Sequence, residues 1–93
     1  MKEELQVAIE AKLIDMLDEK RKEKGISVEE WAKSVYPGVA SGRMRLQHLR
    51  KPQSSGKRKR LLFSEFVSMA LALGIHPATM VTLVMQDFDE TKI

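Results

Sequence analysis

The sequence predicts an all-α protein of five helices, and three observations carry that prediction. Apolar residues recur at three- and four-residue steps in successive stretches, helix start and stop residues bracket those stretches, and no stretch alternates apolar with polar residues as a strand would. Ninety-three residues make one domain, residues 1–93, with room for a single modest core. No internal repeat divides the chain.

The first helix is expected from about Lys2 to Lys24, a run without Gly or Pro. Leu5, Ala8, Ile9, Leu13, Met16 and Leu17 form its apolar stripe. Glu3 and Glu4 open it, and Lys20, Arg21, Lys22 and Lys24 close it. Each well-placed charge favours the helix dipole by about 0.3–1 kcal/mol. Gly25 is the expected stop. Ser27 then caps a second helix, with Glu30 completing a capping box and Val28, Trp31, Ala32 and Val35 supplying the buried face. Pro37 ends it, because a proline disfavours helical geometry at the residue before it, here Tyr36.

A third helix is expected from a Ser41 cap to about Lys51, where Pro52 stops it, with Leu46 and Leu49 facing the core. Residues Gln53 to Arg60 read as a loop. The fourth helix runs from Leu61 to Leu73, apolar round much of its surface, with Ser64 or its predecessor as cap and Gly74 as stop. His76-Pro77 opens the fifth, proline standing where its missing N–H costs nothing. Met80, Val81, Leu83, Val84 and Phe88 are its apolar residues, and a frayed tail is expected from Asp87.

Charge is segregated along this scaffold. No Asp or Glu lies between Glu30 and Glu65, and that window holds nine cations: Lys33, Arg43, Arg45, Arg50, Lys51, Lys57, Arg58, Lys59 and Arg60. The remaining seven Lys/Arg face thirteen acids, so a chain of net charge +3 carries +9 in its middle and −6 on its flanks. Such a field suits a polyanion, and nucleic acid is the commonest. A cation run alone is more often a solvated loop. Arginines on the adjoining helix favour binding here. Arg50 and Lys51 have a second reading as charges that complement the end of the third helix.

Several function classes fall away. There is no cysteine, and the two histidines, His48 and His76, belong to no metal-ligand spacing. No nucleophile–base pair, carboxylate dyad or phosphate-cradling glycine loop is present, so neither an enzyme nor a cofactor is expected. No apolar run approaches the roughly 20 residues of a membrane span, and the opening Met-Lys-Glu-Glu does not lead into a signal core. A cytoplasmic protein is the expectation.

Three segments carry a resemblance. Gly25-Ile26-Ser27-Val28-Glu29-Glu30-Trp31-Ala32 resembles the opening of the helix-turn-helix in the lambda-repressor-like family, the Cro/CI or xenobiotic-response-element type. Leu46-Gln47-His48-Leu49 resembles the core of its recognition helix, and Met69 to Met80 its Ala-x-x-Leu-Gly ending before the last helix. Together they span roughly Leu13 to Val84 in order, with the helix-turn-helix at about 27–51. The chain departs from the pattern in a longer turn at Tyr36-Pro37-Gly38, in Arg50 where the family has Glu, in a long basic loop, and in an extended N-terminal helix.

The resemblance implies double-stranded DNA binding, with the third helix in the major groove. Arg43 and Arg45 are then the expected base readers, since arginine pairs in bidentate fashion with guanine, and Gln47 and His48 are further candidates. Ser41, with the N–H groups of Gly42 and Arg43, would hold a phosphate at the helix start. Lys51, Lys57, Arg58, Lys59 and Arg60 would serve the backbone. Met44 would meet either a thymine methyl or the second helix, and Tyr36 either packs on the turn or reaches a phosphate.

The expected role is a small prokaryotic or phage transcriptional regulator, more in the manner of a repressor, without a small-molecule ligand. A homodimer is expected through the N-terminal helix (Leu5, Val7, Ile9) or the last helix (Val81, Val84, Met85, Phe88). The rival from another class is a protein-interaction module, such as an antitoxin-like partner. RNA is disfavoured because the few aromatic residues read as core.

Overall fold

In the computed structural model, which describes residues 1–51 and 59–88, every described segment of regular structure is helical. The helices are α1 (Glu3–Glu23), α2 (Val28–Val35), α3 (Gly42–Arg50), α4 (Phe63–Ala72) and α5 (Pro77–Met85), followed by a 3-10 turn at Gln86–Phe88. Five helices and no strand among the described residues agree with the expected class.

Local chemistry sets most of the boundaries. Gly25 and Gly74 sit at φ +68° and +72°, conformations that side chains with a Cβ rarely adopt. Each closes its helix in the same way. The N–H of Gly25 reaches the Lys22 carbonyl and that of Ile26 the Arg21 carbonyl; Gly74 and Ile75 repeat the pattern on Leu71 and Ala70. Ile26 and Ile75 then fold back onto the core. Ser27 caps α2 in the expected box, its hydroxyl accepting from the Glu30 N–H at 3.1 Å. His76, given no role from sequence beyond opening α5, accepts the Ala78 N–H on Nδ1.

Two caps differ from expectation. The Ser41 hydroxyl makes no capping bond. α4 is capped at Leu62 rather than at Ser64 or Phe63, and since leucine has no polar side-chain atom, the cap is the Glu65 carboxylate accepting the Leu62 N–H at 3.1 Å.

All five helices supply the core: Leu13, Ile14 and Leu17 from α1; Trp31, Ala32 and Val35 from α2; Leu46 and Leu49 from α3; Phe66, Met69 and Ala70 from α4; Met80 and Val84 from α5. α1 packs on α3 and α5, α2 on α3 and α4, and α4 on α5. Trp31 is a core residue as expected, and its indole N–H reaches the Met69 carbonyl at 3.1 Å. A helix of nine residues is not stable by itself in water. α3 therefore depends on its two fully buried leucines, each worth roughly 1.5–3 kcal/mol of burial.

Asp87 and Phe88, expected to open a frayed tail, are ordered. Asp87 lies in the 3-10 turn within 3.6 Å of Lys12, and Phe88 packs against the core. This also removes much of the apolar surface expected to be spare for a dimer, because Val84 is buried and Ile9 and Phe88 rest on the core. The large apolar residues that do stay exposed include Leu62, Phe63 and Leu71, at or on α4, and Met44 on α3. No single helix among the described residues is long and apolar enough to cross a membrane.

Candidate nucleic-acid interface

The six residues from Tyr36 to Ser41 join α2 to α3 by two successive turns. The Val39 N–H bonds to the Tyr36 carbonyl and the Gly42 N–H to the Val39 carbonyl, each at 3.1 Å. The longer connection is thereby wound up rather than extended. α3 starts hard against the Tyr36 side chain, and a Cβ on Gly42 would stand only 2.9 Å from the Tyr36 Cβ. Gly42 is buried, and its N–H is taken by Val39, so its expected part in holding a phosphate is replaced by a packing role.

One flank of α3 is bound to the rest of the domain through acids. Arg45 donates through Nε to one Glu65 oxygen at 2.6 Å and through Nη2 to the other at 2.5 Å. The Tyr36 hydroxyl donates to the same carboxylate at 2.5 Å. Burial is the largest single influence on Glu65 and pushes its pKa up, but the bonds from Arg45, Tyr36 and the Leu62 N–H together outweigh it, leaving the carboxyl below its ordinary value. Burial, with the neighbouring carboxylate, raises the Tyr36 phenol.

Arg50, the last residue of α3, turns to α1. It donates to Asp18 at 2.9 and 3.3 Å, while Arg21 approaches the same carboxylate at 2.9 Å. Here too burial raises the Asp18 pKa most, and the bonds from Arg50 and Arg21 overcome it, so the net shift is downward.

The opposite face of α3 is open. Arg43, Met44, Gln47 and His48 line one shallow hollow together with Ala40 and Ser41. Positions 43 and 47, and 44 and 48, are each one helical turn apart, which is why they share a face. Arg43 has no hydrogen-bond or ion-pair partner among the described residues, and Met44 is 63% exposed. Met44 thus faces outward instead of lying on α2. Gln47 accepts a bond from Arg50 on its side-chain oxygen, which orients its amide. A second hollow, beside the connection, is lined by Arg43 and by Lys33 of α2, with Glu29 at its edge.

The remaining basic residues divide. Lys51 and Lys59 are exposed. Arg60 is drawn back to α1, where it meets Glu10 at 2.7 Å and Glu3 at 3.7 Å, and Glu10 also accepts the Leu61 N–H. The Arg60 bond holds the Glu10 carboxyl below its ordinary value, even against partial burial. Lys57 and Arg58 lie outside the described residues.

Of the expected site residues, then, the structure gathers Ser41, Arg43, Gln47 and His48 on one surface and leaves Lys51 and Lys59 exposed. It sets Gly42, Arg45 and Arg60 to internal work. Lys33 was missed as a site residue, although it belongs to the acid-free window. Glu65, Asp18 and Glu10 were missed as partners of Arg45, Arg50 and Arg60 because they lie 20, 32 and 50 positions from them. Glu65 left a local trace as the third residue of its own helix, where a carboxylate often caps, and Asp18 left one in its i,i+3 spacing to Arg21.

No group of His, Asp or Glu among the described residues is arranged to hold a metal ion. Neither a family model, nor a curated protein, nor a solved structure matches the chain.

Proposed function

We propose that the protein binds double-stranded DNA through the outward face of α3, as a lambda-repressor-like helix-turn-helix regulator. The observation that carries this reading is the face itself. It presents a guanidinium without a partner among the described residues, an amide, an imidazole and an exposed methionine around a hollow that no acid lines, with Lys33 in the adjoining hollow and Lys51 and Lys59 exposed. Those groups match the edges of base pairs. Arg43 suits guanine O6 and N7, the Gln47 amide suits adenine, and Met44 suits a thymine methyl. Lys33, Lys51 and Lys59 suit phosphates, which add affinity and register without sequence information.

Arg45 drops out of the set of base readers because Glu65 takes its Nε–Nη2 edge in bidentate fashion. Regulation would follow from occupancy: a protein seated on an operator blocks polymerase or recruits it. One nine-residue helix reads too few base pairs for high selectivity, so two copies on a two-fold site belong to the same reading. Sedimentation with and without a bound duplex measures that stoichiometry, and one copy per selected site would remove the dimer.

A second reading has one observation in its favour. The exposed side of α4 carries Phe63, Ser64, Ser68 and Leu71 without a charge, a surface suited to another protein. Titration of a labelled random-sequence duplex at about 50 and 200 mM salt separates the two. Duplex binding that weakens steeply with salt is expected. No binding at the lower salt would discard the DNA reading in favour of the protein-interaction one.

A further inference from the structure

Glu65 is a buried and fully engaged carboxylate. It is 7% exposed, and its two oxygens receive four donors: the Tyr36 hydroxyl, Arg45 Nε, Arg45 Nη2 and the Leu62 N–H. These donors come from three places along the chain. Tyr36 heads the connection and packs on the first residue of α3; Arg45 sits in the middle of α3; Leu62 is the cap of α4. Arg45 Nη2 further donates to the Arg60 carbonyl at 3.3 Å, so the chain just before α4 is tied to the same cluster.

A buried carboxylate is tolerated only when donors surround it, and their directions are fixed by the planar fork of arginine. Rotation of α3 about its own axis would carry Arg45 away from Glu65, and movement of the connection would carry Tyr36 away. The two leucines that bury α3 impose no such angular constraint, because apolar contact is non-directional.

Resting on the DNA-binding reading above, we infer that Glu65 is a positioning residue for sequence selectivity: it fixes the rotation of α3, and it withholds Arg45 from the phosphates. It acts without touching DNA. With Glu65 intact, only the outward face meets the duplex. Without it, α3 keeps only the Arg50–Asp18 clamp as a directional tie, and a second guanidinium, on the flank away from Arg43, becomes available to any phosphate.

The test compares wild type, Glu65→Gln and Tyr36→Phe by selection from a randomised duplex pool, followed by titration of the selected and random duplexes across a salt series. Circular dichroism verifies that each variant is folded. For Glu65→Gln we expect selectivity, the ratio of selected to random affinity, to fall about tenfold. Random-duplex affinity should rise, and its salt slope should steepen by about 0.9, the contribution of one added phosphate contact. Tyr36→Phe keeps every charge, so it should lower selectivity by a smaller factor and leave the salt slope unchanged.

A merely structural Glu65 would lower thermal stability and weaken both duplexes together, with no steeper slope. That outcome, or a Glu65→Gln selection profile equal to wild type, overturns the inference. Should Glu65→Gln fail to fold, Tyr36→Phe decides: unaltered selectivity overturns it. If wild type itself binds no duplex at low salt, the functional reading fails first and this one with it, a result distinct from a wild type that binds while the variants select like it.

Discussion

Arg43 and Arg45 stand two residues apart on one short helix, in the same acid-free window, and meet opposite fates. Arg43 looks out beside a hollow that no acid lines, whereas Arg45 is gripped by a buried carboxylate. Two residues advance an α-helix by more than half a turn, so neighbours of identical type face different surroundings. Arg50 and Arg60 repeat the fate of Arg45, held by Asp18 and Glu10. A basic stretch is thus partly an interface and partly a set of cross-links to the acidic flanks. Its net charge does not say which arginine does which.

The largest change that would break this division is Leu46→Ala. It empties a fully buried position on the helix that carries both fates, and it should cost about 2–5 kcal/mol of stability by urea unfolding. A loss under about 1 kcal/mol would mean that α3 is held chiefly by its ion pairs.

Next is Asp18→Asn, which leaves Arg50 and Arg21 facing a neutral amide in a site where their side chains are 14% and 10% exposed. The expected loss is roughly 1–3 kcal/mol, below that of a fully buried pair because some solvent reaches the cluster. Equal stability of the variant and wild type would place the cluster among inert surface pairs.

Arg43→Ala sharpens the comparison from the other side. It should weaken binding to the selected duplex by about 1–3 kcal/mol and relax preference at one base position. Thermal stability should move by no more than about 0.5 kcal/mol, since the residue has no internal partner. A stability loss like that of Asp18→Asn would contradict its placement on the open face.

The smallest effect is that of pH. Glu10, Asp18 and Glu65 all ionise more readily folded than unfolded, so their contribution is fully present above the ordinary values of 4.5 for the glutamates and 3.8 for the aspartate. Stability should be level from neutral pH down to about pH 5 and decline below it, as each group is protonated through its depressed folded value. A maximum in acid would reverse the assigned directions.

Much of the fold was legible in the chain because its signals are local. The Ser27–Glu30 box, the closures at Gly25 and Gly74, the proline opening α5 and the leucine spacing of α3 each act within a few residues. Where expectation and structure part, the competing interaction is distant or geometric. Ser41 does not cap because the connection is wound by its own turns, and Phe88 is drawn onto the core by packing that no nearby residue announces.

The sequence alone therefore determined the helices, their order, the apolar residues of the core and the gathering of positive charge. These follow from backbone chemistry and periodicity, which operate over one or two turns. Only the tertiary structure decided which cations remain free. Glu65 reaches Arg45 across 20 positions, Asp18 reaches Arg50 across 32, and Glu10 reaches Arg60 across 50. Coulombic and hydrogen-bonding partners are chosen by distance in space, and folding sets that distance.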